Sequence, residues 1–275
     1  MAGTLWLVGT PIGNLGDISE RARETLARSD VIACEDTRRT RALLTHFNIR
    51  APRLVSFFEG NERGRIPEIL KLLREGSNVA LVSDAGTPAI SDPGYLLVAA
   101  CVEEGLSVDA VPGPSAAITA LMVSGLPTDR FAFEGFLPRT SGRRRKRLAE
   151  LTTDPRTLVF FESPRRVAAL LKDALDVFGD RRAALARELT KVHQEVIRGP
   201  LAVIRERIGE VRGEVVLVVE GAAEKDEPDL DELAARVESL RGEGLSRRAA
   251  AAQVAGESGV SKRTLYESSL RITTK

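Results

Sequence analysis

Three short stretches combine charged side chains with residues that bend or stiffen the backbone. Glu35-Asp36-Thr37-Arg38-Arg39 sets two carboxylates beside two guanidiniums, a compact polar group. Ser83 to Gly94 reads SDAGTPAISDPG. Asp84 and Asp92 are acceptors for ammonium or hydroxyl groups, Gly86 and Gly94 let backbone approach a ligand closely, and Pro88 and Pro93 stiffen the loop. Arg187 to Glu195 reads RELTKVHQE and gathers Glu188, Lys191 and His193. Each stretch has a plain alternative: Asp36 or Asp92 as a helix cap, Lys191 as a surface ion pair with Glu188 or Glu195.

The elements that must position these groups read as an open α/β pattern. Val79 to Val82 is an apolar run that fits a buried strand, and Ser83-Asp84-Ala85-Gly86-Thr87-Pro88 cannot continue it. In a parallel sheet covered on both faces, ligands sit in loops at the carboxyl ends of strands. Leu5 to Val8 ends in Gly9-Thr10-Pro11-Ile12-Gly13-Asn14-Leu15-Gly16 before a helical stretch from Ile18 to Arg28. Val31 to Cys34 delivers the Glu35 to Arg39 group to a helix running through Leu44, on which His46 reads as structural. Leu54 to Phe58 is a further strand, and a helix from Arg65 to Arg74 carries Pro67 in its first turn. Ser107 to Val111 ends in Pro112-Gly113-Pro114-Ser115-Ala116, small enough for a ligand to lie against the following helix N-terminus. Neither GxGxxG nor GxxxxGK[ST] occurs in these loops, which disfavours a standard dinucleotide or P-loop phosphate site.

A second α/β subdomain follows. Arg130 to Gly135 alternates apolar and polar residues, predicting an antiparallel neighbour. Thr157 to Phe161, Arg182 to Ala186 and Val215 to Val219 are further strands. The expected division is 1–116, 117–222 and 223–275, with a ligand cleft between the first two. Glu224 to Asp231, with Pro228, reads as an acidic linker. Beyond it, Arg247 to Ala255 and Lys262 to Leu270 resemble a helix-turn-helix, with a plain helical packing unit as the alternative.

The 275 residues carry a formal net charge of +1, but the charge is unevenly spread. Arg139 to Arg147 places six basic residues among nine, and Arg38, Arg39 and Arg41 form a second cluster, a distribution suited to a polyanion. Aromatic residues are only 4%, which argues against a base-stacking sheet. Cys34 and Cys101 stand alone, so neither a zinc site nor a disulfide framework is indicated. No run approaches ~18 apolar residues, and MAGTLWLVGT lacks a basic region leading into a long apolar one, so a soluble cytoplasmic protein is expected.

Seven motifs in order resemble the ribosomal RNA small subunit methyltransferase I family: VGTPIGNLGD from Val8, EDTRRT from Glu35, SDAGTPAISDPG from Ser83, VPGPSA from Val111, SGLPTDRF from Ser124, FFESPRR from Phe160 and RELTKVHQE from Arg187. The resemblance runs over about residues 4–221. It implies the two-lobed tetrapyrrole-methylase (class III methyltransferase) fold with a small C-terminal helical domain. It further implies S-adenosylmethionine-dependent methylation of a cytidine ribose 2′-hydroxyl in the decoding region of 16S rRNA, on the small ribosomal subunit, by a homodimer without a metal. The cofactor would be held by Pro11, by Asp84, Ala85, Gly86, Thr87 and Pro88, by Ser115 and Ala116, and by Phe161 and Glu188. Phe58, Gly60 and Arg165 stand where the family often has histidines, so if such a histidine accepts the proton in the family, this chain uses another group or none.

Alkylating a hydroxyl requires alignment and a proton acceptor. Asp36 or Glu35 fits that role, as does Lys191 if burial lowers its pKa, with Glu188 to orient it. An RNA partner would be held by Arg38 and Arg39, by Arg139, Arg143, Arg144, Arg145 and Arg147, and by Arg165 and Arg166. Arg247, Arg248, Lys262 and Arg263 in the tail would add to this. Two other classes stay open on the residues alone. One is a methylase of this fold acting on a tetrapyrrole or corrinoid precursor, which needs neither arginine run nor tail. The other is a nucleic-acid-binding protein without chemistry, in which an intact Asp84 to Pro88 loop would be unexpected.

Overall fold

Strands β1 (Thr4–Val8), β2 (Val31–Cys34), β3 (Arg53–Ser56), β4 (Val79–Val82) and β5 (Ser107–Val111) form a parallel sheet in the order β3-β2-β4-β1-β5. The computed structural model describes residues 2–209, 213–223 and 229–272, so the expected linker around Pro228 lies largely outside the described residues. Helices α1 (Glu20–Arg28) and α2 (Thr37–His46) cover one face, and α3 (Glu62–Arg74) and α4 (Tyr95–Glu103) the other. Strand β4 shows why the sheet must be sandwiched: Val79 and Leu81 enter the core under α3 and α4, while Ala80 and Val82 enter the core under α1 and α2. Capping sets the helix starts. Ser19 accepts from the Ala22 N–H to begin α1, and Asp36 accepts from the Arg38 N–H to begin α2. Helix α3 starts three residues before the expected Arg65, so Pro67 lies in its second turn.

After α5 (Ala116–Ser124), a second sheet is built from β6 (Phe131–Phe136), β7 (Thr157–Glu162), β8 (Arg182–Arg187), β9 (Glu195–Pro200) and β10 (Val215–Val219), in the order β6-β7-β10-β8-β9. Helix α5 packs on one face, and α6 (Ser141–Glu150), α7 (Val167–Phe178) and α8 (Leu201–Arg207) on the other. One expectation is corrected here, and one strand is new. Strand β6 runs parallel to β7, because α6 carries the chain back across the sheet between them; the antiparallel pairs are β7-β10, β10-β8 and β8-β9. Strand β9 escapes a reading by hydrophobicity because it is an edge strand that buries only Ile197.

Residues 1–222 form one compact unit and 223–275 another. The second contains α9 (Leu230–Gly242), α10 (Arg247–Ser258) and α11 (Lys262–Ile272) around a core of Val237, Leu240, Ala250, Ala251, Val254 and Leu265. No helix among the described residues is long and apolar enough to cross a membrane.

The basic run is partly structural. Arg144 is 4% exposed; its Nη2 lies 2.6 Å from Asp173 Oδ2, and Ser141 donates to the same carboxylate, so the pair ties α6 to α7. Arg144 is thereby corrected from an RNA contact to a buried brace. Asp173→Ala, which strands the guanidinium, should lower unfolding free energy by roughly 3–5 kcal/mol in urea titration. Arg143→Ala, at the exposed position next to it in the same run, should stay within about 0.5 kcal/mol of the parent.

Candidate active site

The loops after β1, β4 and β5 are bonded into one surface. The Thr10 N–H donates to the Gly86 carbonyl at 2.8 Å and the Gly86 N–H returns to the Thr10 carbonyl at 3.1 Å. Thr10 Oγ1 donates to the Ser83 carbonyl at 3.3 Å, Gly9 N–H to the Val111 carbonyl at 3.0 Å, and Thr87 Oγ1 to the Pro114 carbonyl at 3.3 Å. Such contact requires bare backbone: a Cβ on Gly9 would stand 2.7 Å from Gly113 Cα. The Ser83 to Gly94 loop holds two non-glycine residues in the left-handed region, Ala89 at φ 68° and Ser91 at φ 63°. Backbone of this kind persists only where the surroundings hold it. Glu62, at 9% exposure, supplies one hold by accepting from the Gly94 N–H at 2.9 Å.

Between the two sheets lies a cleft of about 870 Å³, counting its open mouth. One wall is Asp84 to Thr87 with Ser115 and Ala116; the opposite wall is Phe161, Val215 and Val216. Phe161 is steadied by edge contacts to Phe133 and Phe136, with ring centres 4.8 and 5.6 Å away. Ile12 crosses from the β1 loop into the core beneath α5, so the first loop is anchored in the second lobe. Gly13 continues this bridge, because a Cβ there would fall 2.4 Å from Lys191 Cγ.

The cleft is acidic. Glu35, Asp84, Asp92, Glu162 and Glu214 line it, with Arg39 as the cation. Glu35 Oε1 is buried without a hydrogen-bond partner. Burial, then the neighbouring Asp92 and Asp84 carboxylates, push the Glu35 pKa up to about 7, while a hydrogen bond with the Asp84 backbone and then Arg39 pull the other way. Asp92 is also raised, first by burial and then by Asp84 and Glu214, against a hydrogen bond with Ser83. Asp36 differs in every respect: hydrogen bonds from Arg38 hold its carboxyl far below the usual range, and its Oδ2 is 2.7 Å from Arg38 Nη2. A carboxylate so strongly held is a poor proton acceptor at neutral pH. Glu162 is fully buried and held by Arg166 at 2.9 Å.

Of the candidate cofactor residues, Asp84, Ala85, Gly86, Thr87, Ser115, Ala116 and Phe161 share the cleft. Pro88 is buried beside it, and Pro11 lines an adjoining cavity with Arg39 and Asp84. Glu188 and Lys191 lie on the loop after β8, where Glu188 Oε1 accepts from Lys191 Nζ at 2.8 Å and from the Glu214 N–H at 3.2 Å. Burial alone would lower the Lys191 pKa, but the carboxylates of Glu188 and Glu214 outweigh it and raise it. The condition for Lys191 as a base is therefore not met, and the amine stays an ammonium.

Among the candidate RNA contacts, Arg166 turns inward to Glu162 and the Leu137 carbonyl, which corrects it to a brace of the β7 loop. Arg145 pairs with Asp176 and Arg147 with Glu134 and Glu150, yet both remain about two-fifths exposed. Arg247 is bonded to Glu238, and Arg263 to Glu267. Arg139, Arg143, Arg165, Arg248 and Lys262 are exposed and make no ion pair among the described residues. Glu214, Val215 and Val216 could not be found as cleft residues from sequence: they flank or form a strand that reads as pure core. Asp92 carried a signal, as a loop carboxylate directly before Pro93 and Gly94.

The family model for Tetrapyrrole (Corrin/Porphyrin) Methylases matches residues 4–204. A protein of Mycobacterium tuberculosis (strain CDC 1551 / Oshkosh) named ribosomal RNA small subunit methyltransferase I is 49% identical over 274 residues, covering 98% of this chain and 95% of its own. A protein of the same name from Thermotoga maritima is 52% identical over 221 residues, covering 80% of this chain and 99% of its own. The uroporphyrin-III C-methyl transferase of Thermus thermophilus, solved in complex with S-adenyl homocysteine, superposes with a TM-score of 0.56 at 21% identity. That match covers 79% of this chain and 97% of the other, a likeness of fold.

The raised Glu35 pKa has a consequence for stability. Between its ordinary value of 4.5 and about 7, the folded state keeps a proton that the unfolded chain releases, so stability falls as pH rises through that window. Glu35→Gln removes the linkage. Thermal unfolding should give equal melting temperatures for the two proteins at pH 4 and a higher one for the variant at pH 8.

Proposed function

The chain belongs to the ribosomal RNA small subunit methyltransferase I family of the tetrapyrrole-methylase fold, and from that premise we propose which bond it makes. It transfers a methyl group from S-adenosylmethionine to the 2′-hydroxyl of a cytidine in the decoding region of 16S rRNA, acting on the small ribosomal subunit. The donor supplies a methyl on a sulfonium, which leaves readily. What the protein must add is alignment and a place for the hydroxyl proton.

The cleft residues fit that donor. Asp84 to Thr87, Ser115 and Ala116 give a wall of small side chains and exposed backbone, and a Cβ on Gly86 would approach Ile12 Cγ2 to 3.3 Å. Phe161, Val215 and Val216 offer an apolar wall for a purine ring. Asp92 and Glu214 supply acceptors for ammonium and hydroxyl groups, and an acidic cleft suits a cationic donor.

The observation that carries the reading is Glu35: a carboxylate at the cleft wall with one oxygen buried and unpartnered, titrating near pH 7. In this reading Glu35 takes the hydroxyl proton as the new C–O bond forms, while Arg39 stands beside the acceptor. Asp36, locked to Arg38, and Lys191, held as an ammonium, serve position and charge instead. A homodimer is the proposed form, supported by exposed Tyr95 and Val102 on α4 and by Ile118 and Met122 on α5.

Mass spectrometry of 16S rRNA from cells lacking the protein should show one cytidine without its 2′-O-methyl group. A fully modified rRNA sinks the assignment. With purified protein, the turnover rate should climb with pH and level off above about 7. Glu35→Gln should cut turnover by roughly 10²–10⁴-fold while S-adenosylmethionine affinity in calorimetry stays within a few fold. Undiminished turnover would remove Glu35 from the chemistry.

A further inference from the structure

A second cavity opens on the far side of the Arg39–Asp84 ion pair. It holds about 400 Å³, within the ~300–1,000 Å³ of small-molecule sites. Arg39 and Asp84 line both this cavity and the cleft, so the pair is the partition between them. The contact is long, 3.4 Å, and the Arg39 side chain is 68% exposed, so it is a weak barrier that a hydroxyl-bearing ligand can open. The walls are chemically divided. Pro11, Leu15 and Leu43 give apolar surface of a kind that covers one face of a flat ring, whereas Arg39, His46 and Asp84 give donors and acceptors at the edge. His46, expected to be structural, is exposed there, with its ring steadied edge-on by Phe47 at 4.7 Å.

The cavity leads outward to cations. Ala42 and His46 also line a shallow depression bounded by Arg38 and Arg41 on the exposed side of α2. Arg38 is engaged by Asp36, but no ion pair or hydrogen bond engages the Arg41 guanidinium among the described residues. Residues 38, 41 and 45 lie at helical spacing, which places the two guanidiniums along one stripe. Cleft, second cavity and cationic stripe thus form an unbroken series joined by shared residues.

We propose that the second cavity is the acceptor subsite: it takes the nucleoside that is methylated, presents its ribose at the Arg39–Asp84 partition, and places an adjoining phosphate on Arg41. This rests on the methyl-transfer reading above. It adds Leu43, His46 and Arg41 to the substrate contacts and assigns α2 as the surface over which the RNA strand enters.

Ala42 is exposed at the junction of cavity and depression, so a large side chain there fills the mouth without entering a core. The test measures, on full-length protein, S-adenosylmethionine binding by calorimetry and methyl transfer from labelled donor to small ribosomal subunits lacking the modification. Ala42→Trp should bind the donor within twofold of the parent and raise KM for the subunits at least tenfold. Ala169→Trp, at an exposed position of α7, should change neither. Arg41→Ala should raise subunit KM severalfold and reduce the slope of log affinity against log salt by about 1. An unchanged KM in both α2 variants overturns the subsite while leaving the enzyme reading intact. Loss of donor binding in Ala42→Trp assigns the cavity to the donor and overturns the proposal. A parent protein that binds no donor overturns the enzyme reading itself, and the subsite with it.

Discussion

The reciprocal backbone pairing of Thr10 with Gly86 is the constraint on which the site depends. Loops at the ends of neighbouring parallel strands have no inherent reason to stay together, since the ladder stops where each strand stops. Here two hydrogen bonds carry the pairing past the sheet, and Thr10 is only 2% exposed. Breaking them would leave buried donors and acceptors unmatched, at about 1–3 kcal/mol each. Once the loops are held, Ile12 is directed into the core of the second lobe, and the spacing of the cleft walls follows from packing rather than from a flexible hinge.

The same closeness sets the electrostatics. Bringing the ends of β2 and β4 together gathers Glu35, Asp84 and Asp92 around one opening, and their mutual repulsion adds to burial in raising Glu35 and Asp92. A fold selected for stability alone would not collect carboxylates there. An acidic cleft that disfavours its own ionisation is suited both to a cationic ligand and to a proton acceptor working near neutrality. Local structure separates the adjacent carboxylates of Glu35 and Asp36: one faces the cleft with an unpartnered oxygen, the other caps α2 and is bound by Arg38.

The basic residues illustrate a second separation. Six cations in nine residues look like one patch in the sequence. In the fold, α6 turns Arg144 into the protein, where Asp173 and Ser141 match it, and gives Arg145 and Arg147 acidic partners on neighbouring elements. Arg139, Arg143 and Lys146 are left without an ion pair among the described residues. Helical periodicity decides this outcome: one residue in a run of arginines must face the core, and it is retained only if a carboxylate meets it.

Sequence by itself determined the parallel strands of the first lobe, because Val79 to Val82 and its neighbours are apolar runs stopped by glycine and proline. It also determined the family, because seven ordered motifs leave little freedom. Tertiary structure alone decided how the pieces serve the site. The parallel placement of β6 depends on a crossover that alternation cannot report, and β9 is an edge strand whose hydrogen bonds, rather than its hydrophobicity, define it. Glu35 and Asp36 are indistinguishable in the chain, and so are Arg143 and Arg144. Their roles diverge because burial, ion pairing and pKa depend on groups distant in sequence: Asp84 and Asp92 for Glu35, Asp173 for Arg144.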